Sequence, residues 1–190
     1  MTIRADQVLD AKGLACPMPI VRTKKAVNEL EPGQVIEIQA TDKGSKADLE
    51  AWAKSSGHQY LGTTEDGEVL KHYLRKAGSE EVNEEKKYPH VIQNDELQQK
   101  LEAREEIVIL DVREQAEYSF GHIPTAISIP LGELEEQMDK LDKDSEVYVV
   151  CRSGNRSDLA CKMLEEKGFS NVKNVVQGMV EWSNPIERNN

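Results

Sequence analysis

Two cysteines stand where a thiol could act as a nucleophile. Cys151 opens the segment Cys151-Arg152-Ser153-Gly154-Asn155-Arg156-Ser157, between the apolar run Val147–Val150 and a helical pattern over 157–167. Gly154 and Asn155 tolerate unusual φ, so this loop can curl with its N–H groups pointing inward. Such a nest at a helix N-terminus binds anions, and Arg152 and Arg156 add positive charge. A cradle of this kind favours a thiolate over a thiol. It would equally hold the anion of a cysteine persulfide, whose outer sulfur can be passed on. Cys16 begins Cys16-Pro17-Met18-Pro19, just before a second helical pattern. Pro17 suits the first helical position, where the missing N–H would have had no partner anyway. Cys16 then lies at or beside the N-cap, where the helix dipole and free N–H groups favour a thiolate. Lys24 and Lys25 are too far along that helix to pair with it. The third cysteine, Cys161, lies among Leu159, Ala160, Met163 and Leu164 and reads as a small packing residue.

The elements that must position these residues follow from hydrophobic periodicity and punctuation. The chain has 190 residues, enough for one large domain or two small ones. Its formal net charge is −11, but residues 1–78 hold eleven basic and eleven acidic side chains, so the whole excess lies in 79–190. The break falls in Lys76-Ala77-Gly78-Ser79-Glu80-Glu81-Val82-Asn83-Glu84-Glu85-Lys86-Lys87, which cannot bury a face. These features predict a domain over 1–76, a charged flexible linker over 77–87 and a second domain over 88–190. A linker of this kind spans roughly 20 Å.

In the first half, a strand at 8–10 precedes a helix over 17–30, with Ile20, Val27 and Leu30 on one face and Glu31-Pro32-Gly33 as its stop. Val35–Ala40 alternates as a strand, with Ile36, Ile38 and Ala40 on one side. Ser45 and Asp48 mark the next helix start. Strands at 58–64 and 68–75 join through Asp66-Gly67, a hairpin signal. The order β-α-β-α-β-β suits a two-layer sandwich of one sheet and two helices. The second half alternates a helix over 95–103, the buried run Ile107-Val108-Ile109-Leu110, an amphipathic helix over 131–141, a strand at Val147–Val150, a helix over 157–167 stopped by Gly168, and a strand at 172–176. This predicts an α/β domain with a mainly parallel sheet. Ligands of such sheets sit at the carboxyl ends of strands, where Cys151 lies.

Several classes are disfavoured. An acidic chain lacks the basic footprint of a nucleic-acid binder, and its apolar runs are too short to span a bilayer. The residues from Met1 to Asp6 carry no apolar signal core, which predicts a cytoplasmic protein. Three scattered cysteines do not make a disulfide framework. His58, His72, His90 and His122 do not cluster with other ligands at metal-binding spacing, so neither a metal nor another cofactor is expected.

The second half resembles the rhodanese family of sulfurtransferases over about residues 89–182. The resemblance rests on Asp111-Val112-Arg113-Glu114, Glu117-Tyr118, Gly121-His122-Ile123-Pro124, Ala126, Ile129-Pro130-Leu131, the 151–157 loop, Gly178-Met179 and Trp182. It implies that Cys151 forms the persulfide and that Arg152, Ser153, Gly154, Asn155, Arg156 and Ser157 make the anion-binding loop. Asp111, Arg113 and His122 read as scaffolding. Thr125 and Gln177 stand where that family usually has glycine. Residues 5–76 resemble the TusA-like (SirA-like) sulfur carriers. The marks are Leu9-Asp10-Ala11-Lys12-Gly13-Leu14-Ala15-Cys16-Pro17-Met18-Pro19, then Lys24-Lys25, Glu31-Pro32-Gly33, Asp66-Gly67 and Leu74-Arg75-Lys76. That resemblance implies a persulfide on Cys16 within a motif completed by Pro17 and Pro19. No second acid or base stands near Cys16 in sequence, which suits a carrier.

The expectation is a sulfurtransferase. Cys151 takes sulfur from thiosulfate or a low-molecular-weight persulfide and exchanges it with Cys16 or with an external thiol or protein acceptor. The rivals are a persulfide or oxidant sensor without turnover, a thiol redox protein and a phosphatase. Phosphatase loops place arginine six positions after the cysteine. Here Arg156 is the fifth residue after Cys151 and Ser157 the sixth, so the shorter loop fits one sulfur better than a phosphoryl group.

Overall fold

The computed structural model describes residues 2–78 and 88–189. Of the predicted linker over 77–87, all but the first two residues lie outside the described residues. The chain divides into two compact units that part between Ser79 and Glu80.

The first unit is a four-stranded sheet with two helices. Its strands are β1 (Gln7–Asp10), β2 (Val35–Ala40), β3 (Gln59–Asp66) and β4 (Val69–Arg75), in the order β1-β2-β4-β3. β1 and β2 are parallel, and the remaining pairs are antiparallel. The parallel pair needs a crossover, and α1 (Met18–Glu29) supplies it; α2 (Ser45–Ser56) joins β2 to β3. Ile36 and Ile38 of β2 are fully buried with Leu49 and Ala53 of α2 and Val27 of α1. Each of the isoleucine, leucine and valine side chains contributes about 1.5–3 kcal/mol by leaving water. The opposite face is not simply wet, because Glu37 is buried and accepts a hydrogen bond from Tyr73 Oη at 2.9 Å.

Two local expectations shift. α1 begins at Met18, so Pro17 is the N-cap and not the first helical residue, and Pro19 takes the second helical place. α2 begins at Ser45 as predicted, yet the Ser45 hydroxyl does not cap it. It donates to the Asp42 carbonyl at 2.6 Å and faces His72 Nε2 at 2.9 Å. The N-cap is Gly44, so Ser45 stands one place inside the helix and its hydroxyl is used elsewhere.

The second unit holds a five-stranded, all-parallel sheet of β5 (Val91–Ile92), β6 (Val108–Asp111), β7 (Ile127–Ser128), β8 (Val147–Val150) and β9 (Val172–Val175), in the order β5-β9-β8-β6-β7. Its helices are α3 (Asn94–Glu102), α4 (Gln115–Phe120), α5 (Leu134–Gln137) and α6 (Asn155–Glu166). Every residue of β8 is buried. Val147 and Val149 point into one core with α6, while Tyr148 and Val150 point into a second with α3. Burial on both faces is why this strand reads as a continuous apolar run.

The edge strands β5 and β7 have two residues each, too few for a period to register. The amphipathic helix expected over 131–141 is a 3-10 turn, the short α5 and another 3-10 turn. Leu134, Met138 and Leu141 still face the core. Gly132 weakens helix formation in the first turn. The expected α/β class holds in both units.

Candidate functional site

Cys151 follows β8, which lies between β9 and β6, so its sulfur emerges at the carboxyl edge of the sheet interior. The residue is 1% exposed. Gly154 N–H donates to Cys151 Sγ at 3.1 Å, and Ser157 Oγ lies 3.3 Å from the same sulfur. Gly154 has φ 90°, in the left-handed region, which lets the chain fold back on the sulfur before α6 starts at Asn155. The sulfur therefore sits against the N-terminus of a 12-residue helix, whose dipole favours negative charge. The first two carbonyls of the loop are tied off elsewhere. Met179 N–H donates to Cys151 O at 2.8 Å and Val180 N–H to Arg152 O at 2.9 Å. That strap needs Gly178, where a Cβ would meet Arg152 O at 2.5 Å and Cys151 O at 2.8 Å.

The two arginines separate. Arg152 is half-buried beside the loop. Arg156, expected to present charge to a bound anion, directs both guanidinium ends to Glu117, at 2.8 and 2.9 Å. The Glu117 carboxylate is fully buried and also accepts the Glu114 N–H at 2.8 Å, closing the capping box of α4. Arg156 thus anchors the start of α6 to α4, and its charge is largely matched there. A buried carboxylate needs such a partner, which outweighs an open anion site.

A further residue lies under the loop. Asn174 of β9 is fully buried. Its Nδ2 donates to Gly154 O at 3.1 Å, and its Oδ1 accepts the Ser157 hydroxyl at 2.6 Å. The one trace in the sequence is a polar residue at a core-facing position of Val172-Lys173-Asn174-Val175.

The scaffold residues sit as expected. Arg113 pairs with the fully buried Asp111 at 2.7 Å and donates to Gly121 O at 2.7 Å. His122 stacks on Tyr118 with centroids 3.7 Å apart, its Nδ1 2.9 Å from Tyr118 O. Thr125 takes φ 72°, a conformation that glycine adopts without strain. Gln177 Oε1 accepts the Asn94 N–H at 2.8 Å. Cys161 is fully buried in the core under α6, and burial first, then the nearby Asp158 and Cys151, pushes its thiol up.

Cys16 is exposed, directly before the Pro17 N-cap of α1. Acidic neighbours oppose the helix start at Cys16. A hydrogen bond to the Asp48 carboxylate, then burial, then the charges of Asp48 and Asp42 push the Cys16 thiol above its ordinary value. Asp48 is in the first turn of α2, far away in sequence. The segment after β1 is held to the end of β2 and the residue after it by Ala11 N–H to Gln39 O at 2.8 Å and Gly13 N–H to Thr41 Oγ1 at 2.9 Å. The first turn of α2 thus brings an acid to Cys16 that local sequence does not show. Pro17 is exposed and Pro19 is buried. Met18 and Val21 leave apolar surface exposed on α1.

Residues 7–76 match the family model "Sulfurtransferase TusA", and residues 93–185 match "Rhodanese-like domain". The "Putative sulfur carrier protein YrkF" of Bacillus subtilis is 50% identical over 185 residues, which cover 97% of this chain and 100% of that one. The chain belongs to this sulfur carrier and sulfurtransferase family. It joins a TusA domain to a rhodanese-like domain. The "Putative sulfurtransferase YtwF" of the same organism is 46% identical over 94 residues, covering 50% of this chain and 90% of that protein. The crystal structure of a rhodanese-like domain protein from Staphylococcus aureus covers 52% of this chain and 97% of its own, with 33% identity and a TM-score of 0.50. Membership implies sulfur transfer to or from partner proteins. Among the described residues, no helix is long and apolar enough to cross a membrane, and no cluster of three His, Cys, Asp or Glu side chains could hold a metal.

Proposed function

We propose that this TusA–rhodanese protein is a cytoplasmic sulfurtransferase that carries sulfur as a persulfide on Cys151. The observation that carries the reading is the Gly154 N–H held 3.1 Å from Cys151 Sγ at the start of α6. It stabilises negative charge on the sulfur, and on a terminal sulfur added to it. The Cys151 thiolate attacks the outer sulfur of thiosulfate. The sulfur–sulfur bond of the donor breaks, sulfite leaves with the electron pair, and Cys151 holds the persulfide anion. A low-molecular-weight persulfide serves in the same way, with a thiolate as the leaving group.

The persulfide is then attacked by a second thiolate, on Cys16 or on an external acceptor, which takes the outer sulfur and releases Cys151 as thiolate. Cys16 first gives up its proton to water. Such exchange is fastest when the attacking thiol titrates near ambient pH. The reverse direction, from Cys16 to Cys151, uses the same steps. Residues 1–76 act as the carrier, 88–190 as the transferase and 77–87 as the linker between them. Arg152, Ser153, Gly154, Asn155 and Ser157 line the anion loop, and Arg156 holds it to α4. Pro17 and Pro19 shape the carrier motif around Cys16.

Intact-mass measurement after exposure to thiosulfate or cysteine persulfide tests this on wild type, Cys16→Ser and Cys151→Ser. An added sulfur on both cysteines of the wild type supports the relay. Normal loading of Cys16 in Cys151→Ser rules out supply from Cys151. If neither cysteine gains sulfur, the whole reading is overturned. Multiple-turnover thiocyanate formation in the presence of cyanide separates an enzyme from a sensor that is labelled but does not turn over.

A further inference from the structure

We propose that Asn174 is a positioning residue for Cys151, holding from the sheet both groups that face the sulfur. The inference rests on the reading of Cys151 as the sulfur-accepting nucleophile. Four hydrogen-bonded contacts form a closed ring. Gly154 N–H reaches Cys151 Sγ at 3.1 Å, Asn174 Nδ2–H reaches Gly154 O at 3.1 Å, Ser157 Oγ–H reaches Asn174 Oδ1 at 2.6 Å, and Ser157 Oγ returns to Cys151 Sγ at 3.3 Å. Asn174, Ser157 and Cys151 are all buried, Asn174 and Ser157 completely.

The chemistry of the groups assigns the directions. A carbonyl oxygen only accepts, so the amide nitrogen of Asn174 must face Gly154 O. Its oxygen then faces Ser157, which has a single proton to give. Ser157 therefore turns a lone pair toward Cys151, an arrangement that partners a protonated thiol. When the sulfur carries negative charge, the hydroxyl can rotate and donate to it instead. Asn174 thereby sets the resting state of the hydroxyl and keeps it within reach of the sulfur. Through Gly154 O it also fixes the plane of a peptide next to the left-handed turn. A loop closed by glycine at φ 90° has little stiffness of its own, whereas β9 is a strand inside the sheet between β5 and β8. The cradle is therefore braced by the sheet as well as folded by the loop. A buried side-chain amide in the core costs stability unless all its partners are present, so its role here is specific geometry.

The test uses the full-length chain in a Cys16→Ser background, so that only Cys151 reports. Persulfide formation from thiosulfate is followed by intact mass, and turnover by thiocyanate formation with cyanide. Asn174→Asp has the same shape and keeps an acceptor for Ser157, but it has no N–H for Gly154 O. Asn174→Ala removes both arms. Both variants are expected to lose about tenfold in kcat, the cost of a displaced hydrogen-bond donor, with a smaller change in KM. In a Ser157→Ala background, Asn174→Ala is expected to cost a smaller factor than in the parent, because one of its arms is already gone. A residue that merely fills the core would give the same factor in both backgrounds. Should Asn174→Ala fail to fold, Asn174→Asp still decides the matter. Rates within twofold of the parent in Asn174→Asp, or factors that multiply in the double variant, overturn the positioning role. If the parent itself never gains sulfur on Cys151, the functional reading fails, and the two failures are distinguishable.

Discussion

Replacing Gly178 with alanine should disable the Cys151 loop without touching any group that faces the sulfur. The added Cβ would lie 2.5 Å from Arg152 O, 2.7 Å from Arg152 C and 2.8 Å from Cys151 O. Ordinary contact needs about 3.5 Å, so strap and loop must part by ~1 Å. All three neighbours are backbone atoms and cannot rotate aside. Alanine must also hold φ near 66°, which costs about 1–2 kcal/mol. Overpacking adds about 1–3 kcal/mol, so the variant should lose roughly 2–5 kcal/mol of stability. The displacement stretches the 2.8 and 2.9 Å bonds from Met179 and Val180 to the Cys151 and Arg152 carbonyls. Those bonds orient the peptides leading into Gly154. A shift of ~1 Å there carries the Gly154 N–H away from the sulfur and should cost about 10²-fold in kcat/KM. The assay is thiocyanate formation, with thermal unfolding measured in parallel. Gly132→Ala is the control, because its Cβ meets nothing within 4 Å. A Gly178→Ala enzyme with wild-type kcat/KM would refute the view that the strap shapes the loop.

The remaining predictions concern charge and burial. Glu117→Gln strips the buried partner from Arg156 and should lower the urea-measured stability by roughly 3 kcal/mol; a change below about 0.5 kcal/mol would show that the pair does not anchor α6. Asp48→Asn removes the main cause of the raised Cys16 thiol, so at pH 7 more thiolate forms and Cys16 alkylates faster in a Cys151→Ser background. An unchanged or slower rate would contradict this. His72 is fully buried, and burial, then the charge of Lys46, lowers it to about 4 from 6.5, so it folds neutral. Because the folded value is depressed, the stability it contributes is complete above about pH 6.5 and is lost as pH falls toward about 4, a loss of the order of 3 kcal/mol. Urea midpoints followed by Trp52 fluorescence in a Trp182→Phe background should fall over that window, and less so in His72→Gln. Equal slopes in the two would count against the mechanism. Cys161, buried and pushed up, should resist alkylation until the chain unfolds, which peptide mapping of labelled native protein checks directly.

Much of the molecule is legible in local sequence, because the deciding physics there is local. The run at Val147–Val150 reports a strand buried on both faces. The alternation of Ile36, Ile38 and Ala40 reports which side of β2 faces the helices, but not the burial of Glu37 on the other side. Gly154, a few residues after Cys151 and just before a helix pattern, reports a turn that folds the chain back on the sulfur. Short elements such as Ile127–Ser128 are silent because two residues carry no period.

The residues that adjust the two thiols are another matter. Asn174 reaches the Cys151 loop from the neighbouring strand, Glu117 takes Arg156 from another helix, and Asp48 acts on Cys16 from the first turn of α2. The sequence by itself determined which cysteines stand at helix starts and which one is packed into a core. Only the tertiary structure decided which charges and hydrogen bonds reach them. Electrostatics and hydrogen bonding act over a few ångströms of space, and the partners that supply them are separated by long stretches of chain.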